Sequence, residues 1–595
     1  MEERRSPAVL AGFALSLVAF ALVAYGPRLA LPFIGDDYVY LDRALHESFA
    51  GVWSRQHVDF GWFRPWSRDF HFWIVTHVFG TSAVAFRCIN LALWTAGMVL
   101  YGALILRVAG PSIAAIATLG AATLSLWATP VTWISGAQDL WMLCFTMASL
   151  LFFVSGRSLW SALALVGGLL SKETASVLPA IAFSYGLIVE RMKFGEALRR
   201  VSALGIIVIA WLLLHPTLLH PQVVSFHGGS PPTRITFMLS TVNLDPWPRP
   251  IDFGVADLVM WIVAAAILAV SLAWILGRPR TLEATKKGQP VPIASDASAI
   301  RSLWVWGLSW GLIGVLPTLM PSTGWQAYYY GIGALGIWLA FAVWLRNRPR
   351  WAIAIVAALA FLRGAAGWTA SFNWGSESYF IRSGKLLALI HAELLRQHPS
   401  LAPHTRVYIE RVPQNIGLIA GQSSALQIWY RDRTVSTDFY SHYRPRSREE
   451  PNGDDRFFRF DPARILVEIR AGPEDIAAAM AVNPEWQHDH EKLSMLFLRS
   501  GDVEGAAEEF EKLSQLPNTP QATMYASVCR LVQGDSTRSD SLLGIAQRET
   551  GATREEMVAW RERLAESMPG RGEADATPRR SGSEPEAPPP SVARP

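Results

Sequence analysis

The first residues along the sequence whose types and spacing can do chemistry are two adjacent carboxylates, Asp36 and Asp37. They lie in the motif Gly35-Asp36-Asp37-Tyr38, directly after the first long apolar run. A carboxylate can act as a general base on a hydroxyl, and its neighbour can steer it or bind a divalent cation such as Mg²⁺ or Mn²⁺. Two like charges side by side also separate their pKa values, which leaves one the better base. Because Asp after Gly is also common at helix ends, the dipeptide alone leaves a capping turn open.

Basic residues follow in two further motifs. Arg64 and Arg68 lie in Phe-Arg-Pro-Trp-Ser-Arg, and Lys172 lies in Ser-Lys-Glu between two apolar runs. Arginine at headgroup depth can pair with a phosphate in a bidentate manner, although such arginines are also ordinary interfacial anchors. Charges so close to a bilayer are costly unless they are paired or functional. Lys172 can therefore hold a phosphate that Glu173 orients, or the two can neutralise one another across a tight turn.

Two other motifs belong to the same set of candidates. Asp139 follows Trp133-Ile-Ser-Gly-Ala-Gln at the outer end of an apolar run, where it is either functional or a helix cap. Tyr328, Tyr329 and Tyr330 open a late apolar run. Three tyrosines there are typical of an aromatic belt, but their hydroxyls can also bind a pyrophosphate or a sugar.

These residues must be positioned by a membrane domain. Of the 595 residues, 51% are hydrophobic and 17% charged, and 25 are Trp, which is typical of an integral membrane protein. Because a helical span needs about 20 apolar residues, the sequence predicts roughly eleven spans. They lie near 7–26, 83–107, 111–129, 138–154, 159–171, 174–189, 201–217, 256–277, 302–320, 327–345 and 350–369.

Basic clusters predict the orientation. They recur in alternate loops, such as Arg4-Arg5, Arg199-Arg200 and Arg346 to Arg350, which predicts that those loops are cytoplasmic. The first extracytoplasmic loop is then 27–82, and everything after about residue 370 lies outside. Within that loop, Asp42 to Trp53 has the spacing of an interfacial amphipathic helix.

Other classes of protein have less support. The formal net charge of +4 is small and the basic residues form no stripe, so nucleic-acid binding is not expected. The three cysteines are far apart, which predicts neither a disulfide framework nor a cysteine metal site. We expect a multi-pass protein of the inner, or plasma, membrane.

The sequence predicts an all-α transmembrane domain over 1–370 and a soluble extracytoplasmic region after it. Runs such as Arg406 to Glu410 and Ile465 to Ile469 predict a mixed α/β region over 371–485. Over 486–565 we expect tetratricopeptide-like helical hairpins, the first turning at Gly501-Asp502 and a weaker echo at Gly534-Asp535. The tail, 566–595, is rich in Pro, Ser, Arg and Glu and should be disordered.

Taken in order, the motifs resemble the GT-C superfamily of integral-membrane glycosyltransferases. The likeness is greatest to the O-mannosyltransferase-like branch with C-terminal tetratricopeptide repeats, and to its bacterial relatives. The paired acidic motif of that branch is matched by Asp36-Asp37, and its Arg-Pro element is matched by Arg64-Pro65. Its Gly-x-x-Asp-Leu element is matched by Gly136 to Leu140, and its Ser-Lys-Glu turn is matched by Ser171 to Glu173. The chain departs from it at Ala137-Gln138 and Ala327-Tyr328, where relatives often carry arginine.

The resemblance implies a polyprenyl-phosphate sugar as donor, with one aspartate of the pair as catalytic base or metal-associated group. From their residue types and their predicted place on one side of the membrane, we expect the substrate site to be built from Arg64, Arg68, Asp139, Lys172, Glu173, Tyr328 and Tyr330. The acceptor is a protein or glycan that the sequence does not identify. Two alternatives stay open: a non-catalytic envelope scaffold that binds a protein partner through its repeat-like tail, and a transporter or flippase, which the absence of internal duplication disfavours.

Overall fold

The computed structural model of the protein describes most of the apolar part of the chain and several segments after it. The described residues are 5–57, 62–216, 255–277, 297–319, 327–369, 377–410, 416, 422–439, 451–461, 464–469, 494–495, 498, 503–515, 519–566 and 568. The chain divides into two compact units, Met1–Leu389 and Ile390–Pro595.

The regular secondary structure of the first unit is helical over its described residues. Its helices are α1 Arg5–Tyr25, α2 Asp37–His46, α3 His71–Phe79, α4 Ala83–Ala109, α5 Pro111–Ala122, α6 Ala128–Thr132, α7 Ala137–Val154, α8 Ser158–Leu169, α9 Leu178–Ile188, α10 Phe194–Leu214, α11 Val255–Leu276, α12 Ala297–Ile313, α13 Gly331–Leu345, α14 Pro349–Thr369 and α15 Glu377–Gln397, the last of which continues past the division.

The apolar helices make this a multi-pass membrane protein. Over its described residues, each of the eleven predicted spans overlaps a helix or a bent pair of helices. Among the described residues, six helices are long and apolar enough to cross a membrane alone, and a seventh span is counted if the pair bent by 58° between Pro111–Ala122 and Ser125–Thr132 is one. The predicted spans at 159–171 and 174–189 are short helices, Ser158–Leu169 and Glu173–Ile188, because the chain turns at Ser171-Lys172. The count of eleven stays a prediction.

Glycines allow two of the helices, α12 and α13, to pack closely. A Cβ added at Gly307 would lie 2.8 Å from the carbonyl oxygen of Gly336, and one added at Gly314 would lie 2.3 Å from the Cα of Gly333. α12 and α13 therefore approach backbone to backbone, as small residues permit in apolar surroundings. Trp306 and Trp310 fill the space around this contact and are fully buried.

The first loop folds differently from its prediction. The amphipathic helix expected from Asp42 to Trp53 instead begins at Asp37 and ends at His46, and a separate 3₁₀ turn covers Gly51–Trp53. A carboxylate in the first turn favours an earlier start, and Glu47 is extended, which ends the helix. Later in the loop, Ser67 Oγ donates to the carbonyl of Ser171 at 2.7 Å, so the loop is fastened to the Ser-Lys-Glu turn.

The second unit contains a four-stranded sheet. Its strands are β1 Arg406–Glu410, β2 Ser436–Asp438, β3 Asp455–Asp461 and β4 Ile465–Ile469, in the order β2-β1-β3-β4, with the short helix α16 Ser424–Tyr430 before β2. β1 is parallel to β2 and β3, and β3 is antiparallel to β4. Both sequence runs expected to be extended are strands, β1 and β4.

Among the described residues after the sheet, four helices are present: α17 Val503–Leu513, α18 Pro520–Val532, α19 Ser536–Thr550 and α20 Arg554–Glu566. α18 and α19 form a hairpin that turns at Gly534, whose φ of +86° favours glycine. Asp535 caps α19 by accepting from the amide of Arg538 at 2.9 Å. The other predicted turn, Gly501-Asp502, lies outside the described residues, as does the predicted disordered tail after residue 568.

Candidate functional site

The two aspartates have different surroundings. Asp37 is fully buried, and its Oδ2 accepts from the amide of Ile34 at 3.0 Å. Its Oδ1 accepts from both the amide of Ser135, at 2.9 Å, and the Ser135 hydroxyl, at 2.5 Å. Three donors therefore hold this carboxylate, and it joins the start of α2 to the 3₁₀ turn before α7. Asp37 organises the site.

Asp36 is only partly buried and has a looser partner. Its Oδ1 accepts from the indole N–H of Trp133 at 3.3 Å. Burial, and then repulsion by the neighbouring Asp37 charge, raise the pKa of Asp36 to about 8. Burial also raises the pKa of Asp37, to about 6, against the donors that favour its charged form. At neutral pH the pair therefore contains one firmly held carboxylate and one group suited to exchanging a proton.

The backbone beneath the pair is fixed by two polar residues of α4 that are not in the sequence-predicted site. The guanidinium of Arg87 donates to the carbonyls of Thr132, at 2.9 Å, and of Leu31 and Pro32. The amide of Asn90 donates to the carbonyls of Trp133, at 3.0 Å, and Ile134, at 3.1 Å. Both side chains are buried, so they set the positions of the segment before Asp36 and of the segment before α7.

Arg64 lies in a second polar cluster. Its Nε and Nη2 donate to both oxygens of Glu173, the shortest distance being 2.6 Å, and its Nη1 donates to Oε1 of Gln138. The guanidinium carbon also lies 5.0 Å from the centre of the Trp62 ring. Burial opposes the charge of Glu173, but attraction by Arg64 outweighs it and lowers the pKa of that carboxyl.

Lys172 has a separate carboxylate partner. Its Nζ donates to Oδ1 of Asp139 at 2.6 Å and lies 5.0 and 4.8 Å from the ring centres of Tyr328 and Tyr329. Of the two alternatives for the Ser-Lys-Glu motif, direct pairing of Lys172 with Glu173 is therefore not the one observed. Lys172 has extended backbone angles and Glu173 begins a 3₁₀ turn, so the two side chains reach different partners.

One short segment joins the two clusters. Trp133 and Ser135 bond to the aspartate pair, whereas Gln138 and Asp139, in the first turn of α7, bond to Arg64 and Lys172. The 3₁₀ turn Ile134–Gly136 reverses the chain between them, and Gly136 is needed there because a Cβ would lie 2.5 Å from the carbonyl of Pro130. The Gly-x-x-Asp element thus sets the relative placement of both clusters.

The charges of the second cluster balance. Arg64 and Lys172 supply two positive charges, and Glu173 and Asp139 supply two negative ones, all in side chains with at most about one-seventh of their surface exposed. The aromatic faces of Tyr328 and Tyr329 add further attraction for the ammonium group. Any anionic ligand of these cations would therefore have to displace the two carboxylates or share the cations with them.

Two predicted site residues have other roles in the geometry. Arg68 is buried and donates to the carbonyl of His57 at 2.6 Å and to the carboxylate of Asp69 at 3.2 Å, so it organises its own loop. Tyr330 donates its hydroxyl to the carbonyl of Gly311 at 3.2 Å, while its neighbour Tyr329 lies against Lys172. Tyr329 has the same sequence signal as Tyr330, and only the helical register separates them.

A divalent cation fits the aspartate pair poorly. Both oxygens of Asp37 already accept hydrogen bonds, which leaves Asp36 as the only carboxylate of the pair without a strong donor. Over the described residues, no group of three or more His, Cys, Asp or Glu side chains is arranged to hold a metal ion.

Comparison with known protein families finds no match, and comparison with curated proteins finds none. Among solved structures, the chain is similar to ArnT from Cupriavidus metallidurans bound to undecaprenyl phosphate, with 14% identity and a TM-score of 0.34 over 72% of this chain and 84% of that one. The apo state of the same protein is similar at 14% identity and a TM-score of 0.35, over 71% and 85% of the two chains.

Proposed function

We propose that this chain is a membrane glycosyltransferase of the GT-C type that moves a sugar from a polyprenyl-phosphate donor to a hydroxyl acceptor. The observation that carries the proposal is the joining of two clusters by residues 133–139. One cluster offers a partly buried carboxylate with a raised pKa, Asp36, and the other offers two cations, Arg64 and Lys172.

In the proposed reaction, the acceptor oxygen attacks the anomeric carbon of the donor sugar. A carbon–oxygen bond forms to the acceptor, and the bond from the anomeric carbon to the phosphate oxygen breaks. The proton of the acceptor hydroxyl moves to the Asp36 carboxylate, and the polyprenyl phosphate leaves with the electron pair of the broken bond. Arg64 and Lys172 stabilise the negative charge that develops on that phosphate.

Within this proposal, Asp36 is the base and Asp37 its support. Asp37 would have to give up three hydrogen bonds to accept a proton, whereas Asp36 has one long one. A base is most useful when its pKa lies near the working pH, which matches the pKa of about 8 better than an unperturbed carboxyl would.

The finer features of the sequence prediction extend the proposal. Eleven spans would place the site, the sheet and the C-terminal helices on the extracytoplasmic face of the inner membrane, where a lipid-linked donor presents its phosphate at headgroup depth. Similarity to the O-mannosyltransferase-like branch would make α17–α20 a tetratricopeptide-like surface for a protein partner.

A non-catalytic scaffold is the second candidate, and one observation favours it. Arg64 and Lys172 are each already paired with a carboxylate, as they would be if both ion pairs served only to hold the fold. A scaffold of this kind would have no reason to bind a lipid phosphate.

The lipid bound by the purified protein distinguishes the two candidates. Native mass spectrometry in the presence of polyprenyl phosphate should detect a one-to-one complex for the transferase. Lys172→Met should weaken it about tenfold or more through loss of a charge-assisted contact, whereas Lys193→Met, a control at an exposed lysine, should not. The scaffold would be favoured if no complex forms, or if Lys172→Met and Lys193→Met both bind the lipid as tightly as the wild type does.

A further inference from the structure

The first turns of α15 lie against the segment that leads into Asp36. Phe380 is buried together with Ile34 and Trp133. Gly384 allows the close approach, because a Cβ there would lie 3.2 Å from Cδ1 of Ile34 and 3.3 Å from Cδ2 of Leu31. Residues 377–389, which the sequence predicts to belong to the soluble region, are therefore part of the membrane unit, and their first turns form a wall beside Asp36.

An ion triad fixes the start of this wall. Glu377 is 4% exposed and lies 2.9 Å from Nη2 of Arg363 and 3.2 Å from Nε of Arg28. Burial opposes its charge, but attraction by the two arginines prevails and lowers the pKa of Glu377. Because Arg28 follows α1 and Arg363 belongs to α14, the triad holds the beginning of α15 to both helices.

Trp133 connects the wall to the carboxylate. Its ring is stacked on Phe380, with centres 5.3 Å apart and planes inclined by 17°, and its indole N–H donates to Asp36. The stack fixes the rotation of the indole, and the rotation decides whether the N–H reaches the carboxylate. Among the described residues, the charged or titratable groups that act on Asp36 include Asp37, Arg68 and Tyr379.

We propose that Trp133, held by Phe380 of α15, is a positioning residue that sets the orientation and proton affinity of Asp36. The donated hydrogen bond stabilises the charged carboxylate. Asp36 therefore stays ionised, and able to accept a proton, at a lower pH than it would without Trp133. This role rests on the proposed function in one respect, that Asp36 is the base of the reaction.

The titration of Asp36 can be followed without enzymatic activity. Dicyclohexylcarbodiimide reacts with the protonated form of a carboxyl group, so peptide mass spectrometry of full-length protein labelled across a pH series reports the midpoint at Asp36. Trp133→Phe should raise that midpoint by about half to one pH unit, since it removes one donor to the charged form. Phe380→Leu keeps the donor but frees its rotation, and should move the midpoint the same way by a smaller amount.

Two matched controls separate this effect from general loss of packing. Phe341→Leu removes a similar stack on Trp344, with centres 5.5 Å apart, and Trp127→Phe removes a buried indole donor to the carbonyl of Ala121. Both should leave the Asp36 midpoint in place.

Midpoints for Trp133→Phe and Phe380→Leu that equal those of their controls would overturn the inference. If Trp133→Phe does not fold, Phe380→Leu decides alone. A wild-type protein without transfer activity would refute the proposed function, while the labelling midpoints would still test the coupling of Trp133 to Asp36.

Discussion

Asp37→Asn should destabilise the membrane unit, whereas Asp36→Asn should not. Both substitutions remove one charge and change almost no volume, so they form a matched pair. They differ in what the carboxylate holds: Asp37 accepts three hydrogen bonds on two oxygens, and Asp36 accepts one at 3.3 Å.

The size of the difference follows from the donors around Asp37. In the asparagine variant, the amide NH₂ must face either the N–H of Ile34 or the N–H of Ser135, so at least one buried backbone donor loses its acceptor. An unsatisfied buried donor costs about 1–3 kcal/mol, and the remaining bonds lose the strength that the charge gave them. We expect a loss of about 2–4 kcal/mol, which corresponds to a fall in Tm on the order of 5 °C.

Thermal unfolding of the purified variants in one detergent, followed by intrinsic fluorescence, measures this directly. Asp36→Asn should unfold at or above the wild-type temperature, because it removes repulsion from Asp37 and gives up only a long hydrogen bond. Equal Tm values for the two variants, or a lower value for Asp36→Asn, would refute the division of roles between the aspartates.

Three further outcomes are expected. Glu173→Gln removes the carboxylate that neutralises Arg64. It should tighten polyprenyl-phosphate binding about tenfold, because the lipid phosphate then meets about 1–2 kcal/mol less repulsion from residue 173. Weaker binding by native mass spectrometry would contradict this. Folding raises the pKa of Asp36 from 3.8 to about 8, so its contribution to stability is complete below about pH 4 and lost as the pH rises through 8; Tm measured against pH should fall over that window, and less so in Asp36→Asn. Gly534→Ala places a side chain at φ +86° and should destabilise the α18–α19 hairpin by about 1 kcal/mol, seen as faster limited proteolysis there, while Gly544→Ala inside α19 should not.

The sequence predicted the helices well for a simple reason. Apolar runs in a membrane are limited to helices because their backbone groups must be satisfied internally, so hydropathy alone locates them. The number of membrane spans was harder to predict, because α8 and α9 are short and the turn between them carries the Ser-Lys-Glu motif. Hydropathy does not state whether such helices cross the membrane.

The residues of the site could also be predicted from the sequence, but the ion pairs between them could not. Arg64, Asp139, Lys172 and Glu173 were identified from motifs, yet the ion pairs run from Arg64 to Glu173 and from Lys172 to Asp139. Which cation meets which carboxylate depends on backbone angles at Lys172 and on the reversal at Gly136, and neither has a signature in the spacing. Gln138 stood out only as a departure from the family pattern, and nothing in the sequence indicated that it accepts a hydrogen bond from Arg64.

The wall formed by α15 was missed because composition changes before the fold does. Residues after about 375 are polar enough to resemble a soluble protein, but Phe380 and Leu387 lie on one helical face and are buried in the membrane unit. The apolar residues of this segment do recur at helical spacing in the sequence. Its partner, the segment from Leu31 to Ile34, is hundreds of residues away and cannot be inferred from local pattern.

The central claim is that Asp36 accepts the acceptor proton during sugar transfer from a polyprenyl-phosphate donor. Its most direct test is transfer from a radiolabelled polyprenyl-phosphate sugar to endogenous acceptors in membranes that contain equal amounts of wild-type protein or Asp36→Asn. The wild type should transfer label, and Asp36→Asn should lose at least about a hundredfold in rate, as expected for removal of a general base, while still binding the lipid. Undiminished transfer by Asp36→Asn would contradict the account.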